Sequence, residues 1–285
     1  MKRNFLILIG LIITGLLYVS GQNPAPWFTA KEVANKVWVI SDHGSDNIYL
    51  VEGDDTAMLI DNGLGAADLR SYVKTLTKKP VIVVITHGHP DHAGSNYQFE
   101  KVYIHPADAE AAKAMNRPER RAASSKTMQG GDAPSENELY KAEPLDTKLI
   151  AVSDGHVFDL GGRRMQVMET PGHTPGGICL LDIRNKILFT GDNNNTLVWL
   201  FLENCTPLHK CLETLEKQQS RIAEFNTLMP GHGAPMSSDF INDQIACVKA
   251  ILAGTCEAKE YKSFAGNSKI CAFGQASVAF NPDNL

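Results

Sequence analysis

The sequence predicts an α/β protein in which two β-sheets pack face to face and helices cover their outer surfaces. Short β-rich runs follow one another near the start of the chain, and the continuous apolar run 81-VIVVI-85 is typical of a strand buried on both faces. Runs with helical spacing alternate with such strands further along. The second half repeats the pattern of the first, since 57–63 and 187–193 are both strands that end in an acidic turn.

The individual elements follow from periodicity and from turn residues. Strands are predicted at 36–41, 47–53, 56–63, 81–85, 101–105, 178–183 and 187–192, and several more, joined by glycine turns, within 148–170. Helices are predicted at 66–76, 106–115, 207–223 and 237–254.

The stretch 116–143 is polar, contains Gly130, Gly131 and Pro134, and lacks clear periodicity. It predicts a long surface excursion, either a functional loop or an insertion. The short basic segment 117–121 within it is interpreted as a solvated helix face or loop.

The N-terminus has the composition of a secretory signal. Lys2 and Arg3 precede the apolar run 5–19, and the small residues Ser20 and Gly21 follow it. We therefore expect a signal peptide at 1–21, a single mature domain at 22–285, and a periplasmic or secreted protein. The alternative is a retained membrane anchor, although the run is shorter than the roughly 20 residues that span a bilayer.

Charge and cysteine content narrow the partners. The chain has a formal charge of −5, and 25 basic against 32 acidic side chains remain without Lys2 and Arg3. This balance opposes nucleic-acid binding and favours a small-molecule substrate, with no membrane partner once the signal is cleaved.

None of the six cysteines forms a CxxC pair, and Cys256 and Cys271 are the first candidates for a disulfide, with buried free thiols as the alternative.

The stretch 85-ITHGHPDHAG-94 holds the densest group of candidate ligands. An extended backbone places His87 and His89 on one side, because side chains alternate along a strand. Asp91 and His92 then fall on the turn into the next helix and can face a neighbouring position. Imidazole and carboxylate are zinc ligands, and four of them in six residues fit two metal positions better than one.

Three later turns offer further ligands next to glycines, which let the backbone approach an ion closely. They are His173 in 169-ETPGHTPGG-177, Asp192 in 189-FTGDNN-194 and His232 in 228-LMPGHGAP-235.

These four motifs, in this order, resemble those of the metallo-β-lactamase superfamily, over nearly the whole mature chain. The resemblance implies a four-layer αββα sandwich of two mixed β-sheets, with a two-metal centre at one end of the sheets. It implies one zinc held by His87, His89 and His173, a second held by Asp91, His92 and His232, and a bridging carboxylate at Asp192. Histidine at position 89, where the oxygen-reducing diiron relatives have a carboxylate, favours zinc over iron.

The implied activity is that of an exported hydrolase with two zinc ions per chain. A metal-bound hydroxide would attack the carbonyl of a small ester, lactone, thioester or cyclic amide, and Asp91 would orient the water or shuttle its proton. One alternative is a zinc β-lactamase that acts on β-lactam antibiotics. Another is a non-catalytic metal-binding or partner-binding protein with the same fold.

Five residues near these motifs have two interpretations each. His43 would contact substrate if its turn overhangs the metal site, and otherwise has a structural or solvent role. Trp199, Leu200 and Phe201 would wall an apolar pocket or pack in the core. Asp61 would fix a histidine through a hydrogen bond or simply form the turn before Asn62 and Gly63.

Overall fold

The structure is a computed structural model that describes residues 27–129 and 145–285, and in these residues the strands form three sheets. The predicted signal peptide and residues 130–143 of the polar stretch lie outside the described residues.

The first sheet has seven strands in chain order: β1 Phe28–Ala34, β2 Val37–Asp42, β3 Asn47–Glu52, β4 Ala57–Ile60, β5 Val81–Val84, β6 Lys101–Ile104 and β7 Lys148–Ala151. β1 to β4 run antiparallel to their neighbours, whereas β4 to β7 are parallel. The predicted buried strand, β5, lies between β4 and β6, and its carboxyl end therefore opens at the edge of the sheet where ligands bind in α/β folds.

The second sheet is also mixed. Its strands are β8 Val157–Asp159, β9 Arg164–Glu169, β10 Ile178–Asp182, β11 Ile187–Gly191, β13 Thr227–Pro230 and β14 Met236–Ser237, in the spatial order β14-β13-β11-β10-β9-β8. Only the β11–β13 pair is parallel. One apolar core, which includes Tyr49, Val84, Leu180 and Phe189, joins the inner faces of the two sheets.

Helices cover the outer faces. They are α1 Leu69–Leu76, α2 Pro90–Ala93, α3 Ala109–Ala114, α4 Pro118–Gln129, α5 Leu208–Ser220 and α6 Phe240–Leu252. α1 and α3 share a core with the first sheet, and α5 and α6 share one with the second. The αββα sandwich of two mixed sheets is thus confirmed. None of the helices in residues 27–129 and 145–285 has the length and apolar character that a membrane span requires.

A third sheet was not predicted. β12 Leu197–Leu200 joins three C-terminal strands in this sheet, β15 Lys259–Ser263, β16 Gly266–Phe273 and β17 Ala276–Phe280, in the order β12-β17-β16-β15.

Cys256 and Cys271 form a disulfide that links the segment after α6 to β16, which confirms the predicted pair. Cys179, Cys205, Cys211 and Cys247 are buried free thiols.

The polar stretch 116–143 is not all irregular, because α4 occupies Pro118–Gln129. The interpretation of 117–121 as solvated is wrong for Arg121, which is 4% exposed. Its guanidinium carbon lies 3.7 Å from the centre of the Tyr97 ring, and Nη1 donates to the carbonyl of Asn116 at 3.0 Å. Helix α4 thus packs against the protein through a buried cation. For this reason its buried face shows no pattern of apolar residues in the sequence.

Candidate metal centre and active site

The ligand motifs follow strand ends that meet at one edge of the sandwich. His87 and His89 come just after β5, and α2 begins at Pro90, whose fixed φ suits the first turn of a helix. Asp192 directly follows β11, and His232 follows β13, the parallel neighbour of β11. Parallel strands bring their carboxyl ends together, which is why residues distant in sequence converge here.

Three histidines surround a first position. His87 Nε2 lies 3.1 Å from His89 Nδ1, which lies 2.9 Å from His173 Nε2. The three ligand atoms are all within 4.8 Å of one another. This is the group that the resemblance implies for one zinc ion, and its nitrogen atoms are of the kind that zinc prefers.

Asp91, His92 and His232 surround a second position, again with their ligand atoms within 4.8 Å of one another. His232 Nε2 lies 3.3 Å from Asp91 Oδ2. Asp192 reaches both groups, because its Oδ2 atom is 3.5 Å from His173 Nε2 and its Oδ1 atom is 3.3 Å from His92 Nε2. A carboxylate in this place can bridge two cations.

The other ring nitrogens of these histidines are also engaged. Three histidines donate from Nδ1 to an oxygen atom outside the centre: His92 to Asp61 Oδ2 at 2.9 Å, His173 to Trp199 O at 2.7 Å and His232 to Ser45 O at 2.8 Å. In the neutral form of the ring, a proton held on Nδ1 leaves the lone pair of Nε2 directed into the centre, which is the tautomer that a metal requires.

Two histidines of the first group, His87 and His89, are held neutral. Burial, together with the nearby His92, lowers the pKa of His87 well below its usual value, and burial together with His173 lowers the pKa of His89 to about 4. Neutral imidazole is the form that binds a metal ion.

The carboxylates and histidines of the second group, together with Asp192, hold one another in their charged forms. Burial would raise the pKa of Asp91 and Asp192, but His92 and His232 outweigh it and keep both carboxyl pKa values below their usual range. Burial would lower the pKa of both histidines, but the same two carboxylates outweigh it and raise their pKa well above the usual value. The two carboxylates thus stabilise positive charge on the two histidines, and they could stabilise a metal cation in the same way.

The residues fit a metal ion on geometric grounds as well. His92 Nε2 and Asp192 Oδ1 are buried 3.3 Å apart, and among the described residues neither atom has a hydrogen bond of good geometry. Buried polar atoms without a partner cost free energy, unless a ligand such as a cation satisfies them. Gly231 packs against Asp192 and His92, since a Cβ atom there would collide with the Asp192 carboxylate and lie 2.8 Å from His92 Cε1.

Asp108, which no motif in the sequence indicates, joins two loops that carry candidate ligands. This carboxylate is 3% exposed. Its Oδ2 atom accepts from Gly88 N at 2.9 Å and from Thr174 Oγ1 at 2.7 Å, and its Oδ1 atom accepts from Gly176 N at 2.8 Å. It thereby connects the loop of His87 and His89 to the loop of His173.

The centre forms part of the wall of a cavity of about 610 Å³, a volume typical of small-molecule sites. Candidate ligand residues that line it are His89, Asp91, His173, Asp192 and His232. Apolar residues that line it are Pro90, Ala123, Leu197, Trp199, Leu202, Phe264 and Ala265. The cavity can therefore hold a largely apolar molecule against the candidate metal ligands.

The residues considered for substrate contact have different positions. Trp199 lines the cavity, whereas Phe201 lies behind it, with ring centres 5.4 Å apart. His43 is exposed and stacks on Trp27 at 4.5 Å, while the next residues, Gly44 and Ser45, line the cavity instead. The turn does overhang the site as expected, but it presents its backbone and a serine.

Two groups of cavity residues were missed in the sequence. α4 contributes Arg120, Ser124 and Thr127, and the turn between β15 and β16 contributes Phe264 and Ala265. The arginines of 117–121 were the signal for α4, and an aromatic residue two positions before Gly266 was the signal for the turn.

Comparison with known proteins decides the family. The profile of the metallo-beta-lactamase superfamily matches residues 42–235, which include all of the candidate ligands. The chain belongs to the metallo-β-lactamase superfamily. As a member with this site it is a metal-dependent hydrolase.

Two curated members are similar in sequence. An acyl-coenzyme A thioesterase from Homo sapiens, MBLAC2, is 28% identical over 252 residues, which cover 78% of this chain and 90% of the relative. An atrochrysone carboxyl ACP thioesterase from Aspergillus fumigatus is 27% identical over 192 residues, covering 66% of this chain and 50% of that protein.

Among solved structures, a metallo-β-lactamase from Pontibacter korlensis superposes with a TM-score of 0.58 at 21% identity and covers 78% of this chain and 99% of its own. At this identity the likeness concerns the fold.

Proposed function

We propose that this metallo-β-lactamase superfamily member is a dinuclear zinc hydrolase of acyl thioesters. The observation that carries the proposal is a cluster of six histidine and aspartate ligands around two positions, bridged by Asp192, on the wall of a largely apolar cavity. When bound, two zinc ions would supply Lewis acidity and an acidified water at neutral pH.

The chain's own residues position the reacting groups. His89, Asp91 and His232 border the cavity, so a carbonyl that enters it lies beside the ligand atoms. Asp91 is held ionised by its histidine neighbours, so its carboxylate can accept a hydrogen bond from the attacking water and orient it.

Two observations favour a thioester among carbonyl substrates. The curated relatives named above are thioesterases, and one of them matches the chain over most of both lengths. The cavity combines apolar residues with Arg120, whose guanidinium group suits the phosphate groups of an anionic acyl carrier.

We also propose that the protein is exported, with a signal cleaved after Gly21. The basic and apolar N-terminal residues support this, and so does the disulfide between Cys256 and Cys271, because disulfides persist in oxidising compartments. N-terminal sequencing of protein isolated from the periplasm or medium should begin at Gln22. Recovery only as a full-length membrane-bound chain would contradict the cleavage.

The experiment is a hydrolysis assay with the purified protein on acyl-coenzyme A thioesters, monitored by release of the free thiol, with metal content measured on the same sample. We expect turnover, zinc as the bound metal, and about two ions per chain. D91N should lower kcat by about 100-fold or more, because removal of a general base or water-orienting group costs that much.

D239N is the matched control, since Asp239 is an exposed aspartate outside the cavity lining. It should behave as the unmodified protein. Nitrocefin tests the β-lactamase alternative, and turnover of nitrocefin without turnover of any thioester would replace the proposed substrate class. Zinc-loaded protein that turns over neither would support the non-catalytic alternative.

A further inference from the structure

We infer that the C-terminal hairpin β15–β16 builds the acyl-chain subsite of this enzyme, with Phe264 as its specificity-determining residue. The inference rests on the proposed thioesterase function and names the part of the substrate that each side of the cavity takes. The hairpin lies beyond residue 235, where the match to the family profile ends.

An aromatic cluster connects the hairpin to the metal centre. The Trp199 ring lies 5.3 Å from the ring of Phe264, centre to centre, and its Nε1 atom donates to Tyr261 Oη at 3.1 Å. Phe201 lies behind, 5.4 Å from Trp199 and 6.1 Å from Tyr261. Contacts of this geometry are favourable between aromatic rings and hold the cluster in one arrangement.

The same tryptophan is attached to a ligand residue. The carbonyl of Trp199 accepts the hydrogen bond from His173 Nδ1 at 2.7 Å, while its ring lines the cavity. A carbonyl carbon held at the ligand atoms would therefore have its attached chain within reach of this ring. In a thioester, one of the two groups on the carbonyl carbon is the acyl chain. An apolar acyl chain would therefore lie against the Trp199 ring.

The hairpin turn extends this wall. Phe264 is 59% exposed and borders the cavity together with Ala265. Because so much of its side chain is exposed, burial in the core does not explain why a large apolar residue stands at this position. The cavity residues from α4 have a different chemistry, because Arg120, Ser124 and Thr127 offer a cation and two hydroxyl groups. The apolar chain therefore belongs at the hairpin and the polar carrier at α4.

The experiment measures kcat/KM for a series of coenzyme A thioesters that differ only in acyl length, from acetyl to decanoyl. In the unmodified enzyme kcat/KM should rise by up to about fourfold per methylene while the chain is buried. F264A should lower the ratio of octanoyl to acetyl kcat/KM by about tenfold, because part of the wall is removed.

F273A is the matched control. Phe273 is the other strongly exposed phenylalanine of the described residues, at 50%, and lies at the far end of β16, outside the cavity lining. It should leave the length profile unchanged. A length profile that F264A does not alter would overturn the inference and leave the thioesterase function standing. If F264A lowers kcat/KM by the same factor at every acyl length, the hairpin contacts the coenzyme A part of the substrate. That result would also overturn the inference.

A second measurement separates this inference from the proposed function. Calorimetric titration with octanoate and acetate reports binding without any hydrolysis. If no thioester is turned over, the proposed function fails, but octanoate binding that F264A weakens by about tenfold, and F273A does not, still supports the subsite. Octanoate that binds no better than acetate overturns it.

Discussion

Asp61 Oδ2 accepts a hydrogen bond from His92 Nδ1 at 2.9 Å, and the same carboxylate accepts from Thr86 N at 2.6 Å and Thr86 Oγ1 at 2.9 Å. Both interpretations of Asp61 from the sequence are therefore correct. It fixes a histidine, and with φ at 63° it also forms the turn after β4. A backbone conformation that is unfavourable for most residues is thus maintained next to the candidate metal centre.

We expect D61A to weaken zinc binding by up to about 100-fold, since partners that orient a ligand histidine contribute 10-fold to 100-fold to metal affinity. D61N should lose less, about tenfold, because asparagine tolerates the positive φ and its carbonyl can still accept from His92. Competition with a chromophoric chelator measures both affinities. Equal affinities for D61N and D61A would show that the hydrogen bond to His92 is unimportant.

We expect D108A to lower the free energy of unfolding by about 3 kcal/mol, because it leaves the donors of Gly88, Thr174 and Gly176 without a partner in a buried place. It should also release zinc more readily from the His87, His89 and His173 group, whose two loops Asp108 connects. Denaturant unfolding and metal analysis measure the two effects.

D159A is the control for Asp108. Asp159 is exposed and also accepts from a glycine N–H, that of Gly161 at 2.9 Å. Its loss should cost less than about 1 kcal/mol, because water can replace it as the acceptor. A similar cost for both variants would contradict the role of Asp108 as a buried connection.

Burial raises the pKa of Asp42 from 3.8 to about 6, although its carboxylate accepts from Trp27 Nε1 and from Leu64 N. Between these two values the folded state keeps a proton that the unfolded state has released, so stability falls as pH rises. Relative to D42N, the unmodified protein should therefore lose about 3 kcal/mol of stability between about pH 4 and pH 7. Denaturant unfolding in the presence of a chelator measures the free energy of unfolding of both proteins across this pH range. If the two proteins show the same dependence on pH, the prediction is wrong.

The convergence of the candidate ligand residues could be predicted from the sequence because each lies in a short motif at the end of a strand. Strand ends are recognisable from local periodicity, and the order of the motifs is itself informative. The polar contacts of Asp108 could not be predicted, because they join loops that are distant in sequence and only the fold brings them together.

The cavity wall was not predictable for a related reason. The face of α4 that packs inward includes Arg121 and Ser125, which are 4% and 0% exposed, so hydrophobic periodicity could not reveal the helix. Strand β15, KEYKS, is largely exposed and has no alternating apolar residues. Trp199 and Phe264 meet only because β12 joins the C-terminal strands in a third sheet.

The disulfide between Cys256 and Cys271 fixes this third sheet to the end of α6, and we expect its loss to be costly. A crosslink across 15 residues restricts the unfolded chain and contributes about 3 kcal/mol. The double variant C256S/C271S should lose about this much free energy of unfolding, and a reductant should destabilise the unmodified protein to the same level.

A matched control is C205S/C247S, which replaces two buried free thiols and leaves the crosslink intact. In that variant the reductant should still cause the full loss of stability, whereas in C256S/C271S it should cause none. If the reductant has the same effect on all three proteins, the crosslink does not stabilise the fold. Because β15 and β16 carry the Phe264 turn, the reduced protein should also show a weaker dependence of kcat/KM on acyl length.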